Sequence, residues 1–265
     1  MDVVDGIGQL NEAAGPVFVV VGVFDGLHRG HLYLLRRLVA EATGRGVRPT
    51  VLTFDAHPDE ILVGAAPPLL LDPAERLVRL AGAGVEVTIV QHFDRVLRET
   101  PYDRFVGMIR DRVELAGFLM TPDAAFGFER RGTPKALAAL GRSEAGRFEV
   151  VVVPPFVVDG APVRSSDIRA AIAEGDLERA RGLLGRSHAV VGNVDPASET
   201  ETRFRLPVAL PPAGDYAARV GRVLGADRRA PARLGVVTVH SSVVHLGGRR
   251  PGPVRIAFVG AAVGG

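Results

Sequence analysis

The chain has 265 residues, 47% of them hydrophobic, and a formal net charge of +2 from 32 Lys plus Arg against 30 Asp plus Glu. That balance supplies a large core and excludes disorder over most of the chain. With no cysteine, disulfides, thiolate catalysis, iron–sulfur clusters and cysteine zinc sites are excluded as well. Tryptophan is absent and aromatics are 6%, a poor endowment for stacking single-stranded nucleic acid. Lys135 is the sole lysine, and the arginine bias reads as genome composition before any phosphate-binding surface. Residues 1–186 carry 22 basic and 25 acidic groups, and residues 187–265 carry 10 and 5. No basic tract of five or more occurs, so no nucleic-acid partner is expected. No apolar run reaches the ~18–20 residues of a membrane span. The N-terminus is acidic where a signal peptide is basic. The expectation is a soluble cytoplasmic protein without a membrane partner.

In chain order, residues 17–23 form a continuous β-branched run, the pattern of a strand buried on both faces. An amphipathic helix over 29–43 and a strand over 50–54 follow. Helix 73–82 opens on Asp72-Pro73, a cap followed by proline at the first helical position. Strand 86–91, helix 101–114, strand 117–120, helix 133–141 and strand 148–153 come next. The alternation predicts an α/β fold with a parallel sheet and right-handed crossovers. Two short helices, 165–174 and 176–184, close this part. Beyond Arg186 helical periodicity stops. Short runs at 189–194, 204–210, 215–220, 235–240 and 253–259 predict a small antiparallel sheet or barrel. The domain boundary is placed near 186, giving domains 1–186 and 187–265.

The strongest local feature is Val21-Gly22-Val23-Phe24-Asp25-Gly26-Leu27-His28-Arg29-Gly30-His31, where the first strand hands over to the first helix. Ligands bind at that carboxyl edge, and helix N-termini attract phosphate. Gly22, Gly26 and Gly30 leave room for a nucleotide near the backbone, and His28 and His31 can point together toward a phosphate. A P-loop is excluded by the missing Gly-Lys-Ser/Thr ending. On residues alone a bare turn stays open, whereas two histidines without a nearby third ligand make a poor metal site. A second segment, Val163-Arg164-Ser165-Ser166-Asp167-Ile168-Arg169, begins another helix. Its serines can cap that helix and bond phosphate, and Arg169 offers a fork to the same anion. Together the two segments suggest the two phosphate-binding shores of a nucleotidyltransferase site.

Most of residues 17–186 resembles the prokaryotic bifunctional FAD synthetases, riboflavin kinase fused to FMN adenylyltransferase. Leu52-Thr53-Phe54-Asp55-Ala56-His57-Pro58 is similar to the family's LTFDPHP. Asp123-Ala124-Ala125-Phe126-Gly127, with Arg130 and Gly132, resembles its (D/N)FxFGxxRxG flavin-side segment. Residues 168–186 resemble IRxALxxGDxxxAxxLLGR. The resemblance implies a Rossmann-like nucleotidyltransferase domain followed by a small β-barrel domain, and adenylyl transfer from ATP, with Mg²⁺, to FMN. It assigns His28, His31, Ser165 and Arg169 to catalysis. Gly22, Val23, Phe24, Asp25, Gly26, Gly30 and Ser166 go to the nucleotide, and Asp123, Phe126 and His57 to the acceptor, with no protein metal ligands. The sequence departs from the family at Arg164, Ser166 and Ala124. These departures keep a second expectation in view, an adenylyl- or cytidylyltransferase that uses another nucleoside triphosphate or another phosphorylated small molecule.

The C-terminal part departs further. The family's GFPTAN is matched by Arg205-Leu206-Pro207-Val208-Ala209-Leu210, without its Thr and Asn, and Thr238 stands where a catalytic glutamate is expected. Gly214-Asp215-Tyr216-Ala217 still resembles the family's DGVYA strand, and the chain stops at Gly265, before the helix the family adds. The expectation is a degenerate barrel without kinase activity, in which His240 and His245 are structural or solvated.

Overall fold

The computed structural model describes residues 1–143, 147–198, 200–223, 231–247 and 252–261. By its contacts the chain forms two compact units. One comprises Met1–Phe24, Gly30–Pro67 and Arg79–Val157; the other comprises Asp25–Arg29, Pro68–Val78 and Val158–Gly265.

The first unit is built on strands β1 (Asp2–Asp5), β2 (Val17–Val21), β3 (Arg48–Phe54), β4 (Val87–Gln91), β5 (Leu115–Met120) and β6 (Glu149–Val152). They lie in the order β1-β4-β3-β2-β5-β6, and every neighbouring pair is parallel. Helices α1 (Arg29–Arg45), α2 (Pro58–Leu62), α3 (Pro73–Gly82), α4 (Arg95–Glu99), α5 (Tyr102–Arg110) and α6 (Pro134–Arg142) connect them. Val17 to Val20 are all buried, because a central parallel strand has both faces covered. Helix α1 buries Leu35, Leu38 and Ala42, the i, i+3, i+7 stripe of an amphipathic helix. From β2 the chain steps out to β3 and β4, then returns to β5 and β6 on the other flank. That reversal is the switch point where open α/β sheets bind ligands.

A short hairpin, β7 (Val157–Val158) and β8 (Ala161–Pro162), leads to helices α7 (Ser165–Ala173) and α8 (Leu177–Leu184). Strands β9 (Ala189–Val194), β10 (Glu201–Arg203), β11 (Gly214–Arg222), β12 (Arg233–His240), β13 (Val243–Leu246) and β14 (Gly252–Ala261) then close a barrel in the order β10-β13-β12-β11-β14-β9. All its pairings are antiparallel, and β9 to β10 completes the ring. Closure leaves no open edge. Its interior is filled by alternate residues such as Val237, Val239, Val254, Ile256 and Phe258.

The fold class is as expected from the sequence, and the differences are local. Strand β1 escapes the sequence pattern because it is four residues long with an aspartate at each end. The Asp2 carboxylate is held by Arg48 at 2.7 Å. A strand was expected over 204–210, but Pro207 cannot donate to a ladder, and the strand is instead β10, just upstream. Residues 204–210 form a loop whose one bridge joins Val208 to Leu69. The barrel's fifth strand in chain order, β13, carries His245 among three apolar residues and gives too short a pattern to read. Among the described residues, no helix is long and apolar enough to cross a membrane.

Candidate active site

In the first unit the carboxyl ends of β2 and β5 border a cavity of about 690 Å³. Val20 to Val23 form one wall, Phe118 to Thr121 another, and residues 123–130 a third. The lining is largely apolar. Phe126 packs against Phe105 and Phe118, with ring centroids 5.1 and 5.5 Å apart, and Phe54 meets Phe93 edge-on at 5.3 Å. A slot lined by aromatics with few polar groups suits a flat hydrophobic ligand. The polar groups are ordered by one another: the Thr121 hydroxyl donates to the Asp123 carboxylate at 2.8 Å, and Arg130 Nη2 donates to the Asp123 carbonyl at 3.1 Å. The Thr53 hydroxyl donates to the Val23 carbonyl at 3.0 Å and so fixes the exit from β2.

The glycines at 127 and 132 are required by close approach. A Cβ on Gly127 would lie 2.6 Å from Tyr102 Cα, and one on Gly132 would lie 2.7 Å from the Phe126 carbonyl oxygen. Between them Glu129 and Arg130 adopt φ of 53° and 55°, a left-handed conformation disfavoured for residues with a Cβ. Asp123 and Phe126 line this cavity, as do Gly22 and Val23. His57 also has a structural role. Its Nδ1 accepts from the Asp59 N–H at 3.2 Å as the N-cap of α2, and its neighbour Pro58 reaches the cavity wall.

In the second unit the loop Asp25–Arg29 is buried through His28. Leu27 has φ 38° and Gly26 φ 81°, and the preceding Phe24 has φ 53°. Strain of this kind persists only where the surroundings over-determine it. The Asp25 carboxylate, 4% exposed, accepts from the Leu70 N–H at 3.0 and 3.1 Å and from Arg169 Nη2 at 2.6 Å. Arg169 Nε donates to the Pro68 carbonyl at 2.8 Å. The Ser165 hydroxyl donates to the Asp25 carbonyl at 3.1 Å. Arg186 Nη1 donates to the Leu27 carbonyl at 3.1 Å, and its Nη2 donates to the Gly26 carbonyl. His28 is 4% exposed. Burial, and then the Arg186 charge, lower its pKa to about 4. At neutral pH it is therefore an uncharged ring with one N–H to donate.

These contacts bring Asp25, Gly26, His28, Ser165 and Arg169 together within the second unit. Serine capping of α7 was expected, yet the N-cap position is Arg164, without a side-chain cap bond, and Ser165 is the first helical residue. Its hydroxyl is directed to the loop because Asp25 offers an unfilled carbonyl. Ser166 is exposed beside Asp167, 3.4 Å away. In the first unit, His31 lies in the first turn of α1 with its ring 5.1 Å from that of Phe24, and Gly30 precedes it. Sequence reasoning gave Arg186 no role. The one signal was its place as the last residue of the LLGR segment that resembles the family motif; its loop partners, Gly26 and Leu27, lie some 160 residues upstream. Among the described residues, no group of three or more His, Asp or Glu is placed to hold a metal ion.

The first unit is a parallel α/β sheet with a ligand cavity at its switch point, and its relatives make the protein an enzyme of the nucleotidyltransferase class. The family model for FAD synthetase matches residues 10–167. The bifunctional riboflavin kinase/FMN adenylyltransferase of Listeria monocytogenes is 30% identical over 82% of this chain and 71% of its own length. That of Escherichia coli K12 is 30% identical over 80% and 68%, and that of Haemophilus influenzae 29% over 79% and 68%. A solved structure titled a macrolide-efflux protein from Streptococcus pneumoniae superposes with a TM-score of 0.78 at 21% identity, over all of this chain and 92% of that one. It shares the fold. The chain belongs to the FAD synthetase family.

Proposed function

We propose that the protein transfers AMP from ATP to the phosphate of FMN, giving FAD and pyrophosphate, and that it lacks riboflavin kinase activity. The observation that carries the first part is the aromatic-walled cavity at the switch point, large enough for a fused-ring acceptor. An oxygen of the FMN phosphate attacks the α-phosphorus of ATP, the bond to the bridging oxygen breaks, and pyrophosphate leaves with the electron pair. The nucleophile is already anionic, so no general base is needed. Catalysis is alignment plus stabilisation of the leaving group.

In this reading His28 and His31 donate ring N–H groups to phosphate oxygens, and the N-terminus of α1 adds its dipole. Arg169 holds Asp25 through Nη2, and its Nη1 is the proposed donor to the triphosphate. Ser165 fixes the loop through the Asp25 carbonyl, and Ser166 stands exposed on the same turn of α7. Asp123 and Phe126 serve the acceptor side. Mg²⁺ keeps several waters and binds through substrate phosphates. It would arrive on ATP and screen triphosphate charge.

Functionally the chain divides into 1–186 for adenylyl transfer and 187–265 for the barrel. The barrel reading rests on loop 204–210, which lacks Thr and Asn, and on Thr238, whose hydroxyl donates to Asp215 at 2.5 Å. Incubation with ATP, Mg²⁺ and either FMN or riboflavin tests both parts. FAD from FMN, with no FMN from riboflavin, is expected. No FAD refutes the first part, and FMN from riboflavin the second. One observation favours a different phosphorylated acceptor: Ala124, on the cavity wall, replaces an aromatic of the family motif. Under that reading FMN fails to raise the melting temperature while another phosphorylated compound does so.

A further inference from the structure

The loop Asp25–Arg29 holds a conformation that its own residues resist. Leu27 at φ 38° is a branched side chain in left-handed space, and Gly26 at φ 81° precedes it. Nothing in the local sequence supplies the restraint, because the bonds that fill the loop's carbonyls come from far along the chain. Ser165 reaches the carbonyl of Asp25. Arg186 reaches those of Gly26 and Leu27, and also that of Leu184 at 3.4 Å. With its carbonyls filled, the loop turns its other polarity elsewhere. Gly26 and Leu27 are buried, and among the described residues their backbone N–H groups donate to no protein acceptor. Buried N–H groups are nearly always paired. Successive amides beside a helix start pair naturally with an anion.

We infer that Arg186 is a positioning residue for adenylyl transfer: by holding the carbonyls of Gly26 and Leu27 in one guanidinium fork, it sets the backbone amides and the His28 ring against the phosphates of the nucleotide. The inference rests on the proposed nucleotide site. A planar fork with fixed donors suits two adjacent carbonyls, whereas a lysine offers a point charge on a flexible stem. Arg186 acts through the loop and touches no reacting atom. It also faces His28 as a positive charge, and together with burial it keeps the ring neutral.

The test compares R186K and R186Q in the full chain. R186Q is expected to lower kcat/KM for ATP by about tenfold or more, the scale of a lost charge-assisted hydrogen bond, while KM for FMN stays within about twofold. R186K, keeping the charge without the fork, is expected to lose most of the same kcat/KM. Millimolar guanidinium is expected to restore part of the activity of R186A and to leave the wild type unchanged, an effect that a merely structural role does not produce. His28 in the nucleotide-free protein, followed by NMR, is expected to titrate above its wild-type value in R186Q. If R186Q does not fold, R186K and the guanidinium experiment decide. Unchanged kcat/KM for ATP in either folded variant overturns the inference, as does a fall in melting temperature alone without guanidinium rescue. A wild type that makes no FAD refutes the proposed function, whereas the His28 titration tests the contact between Arg186 and the loop without any acceptor.

Discussion

Two loops of the second unit solve the same problem in opposite ways. Residues 25–28 and residues 204–210 both lie outside helices and strands, and both depend on distant partners. The first is held by side chains: Arg169 through the Asp25 carboxylate, Ser165 and Arg186 through carbonyls. The second is held mainly by backbone. Leu69 donates to the Pro207 carbonyl at 2.9 Å, Ala209 donates to the Leu69 carbonyl at 2.9 Å, and His188 Nε2 donates to the Ala209 carbonyl at 2.8 Å. A loop strapped by side chains keeps its amides for a ligand; one strapped by a β-bridge spends amides on the strap. Under the proposed function the first loop faces phosphate and the second belongs to the barrel.

The largest effect is expected from breaking the charged strap. Arg169→Ala leaves the Asp25 carboxylate buried without its cation, which typically costs about 3–5 kcal/mol. Urea denaturation should show that loss together with abolished FAD formation. A stability within 1 kcal/mol of wild type would mean that the loop does not depend on the pair. His28→Ala should lower kcat by about 10²–10³, roughly 2.7–4 kcal/mol of barrier. Single-turnover kinetics with ATP and FMN measure this, and an unchanged rate removes His28 from the chemistry.

A histidine of depressed pKa is buried at each loop, His28 within the first and His188 beside the second. For both, burial is the leading cause, and each is lowered from about 6.5 to about 4. The unfolded chain therefore binds more protons than the folded one between those values. Stability should be level with respect to these groups above about pH 6.5 and fall as the pH drops toward 4. Each contributes up to about 1.4 kcal/mol per pH unit. Chemical denaturation across that range checks the slope, and a flat profile contradicts the burial of both rings. The smallest effect belongs to the barrel exterior. His240 is exposed, and His240→Ala should change stability by less than about 0.5 kcal/mol and leave FAD formation as it was. A tenfold loss of activity would restore the barrel to the catalytic account.

Much of the α/β half was legible in sequence because its signals are local and repeated. The buried run of β2, the stripe on α1 and the proline opening α3 each identify an element within a dozen residues. Strand β1 was not legible, since its place depends on pairing with β4, some 85 residues away. The five-residue helices α2 and α4 were too short for a periodic pattern. In the barrel, the apolar content of 204–210 imitated a strand that Pro207 forbids. At the site, the motif spacing pointed to His28, Ser165 and Arg169, and the family resemblance to Asp123 and Phe126. What each side chain touches was not legible. Ser165 was read as a cap and instead bonds a loop carbonyl, and His57, read on the acceptor side, also caps α2 through Nδ1.

By itself, then, the sequence determined an α/β sheet followed by a small β-structure, the glycine loop with its two histidines, and the family those motifs resemble. Only tertiary structure decided that Arg169 is bound to Asp25 and that Arg186 holds the strained loop beside His28. It also decided that the cavity opens between the ends of β2 and β5. The physical reason is range. Helix stripes, buried strands and turn residues act within a few positions, whereas a buried carboxylate or an unfilled carbonyl accepts whichever donor the fold delivers.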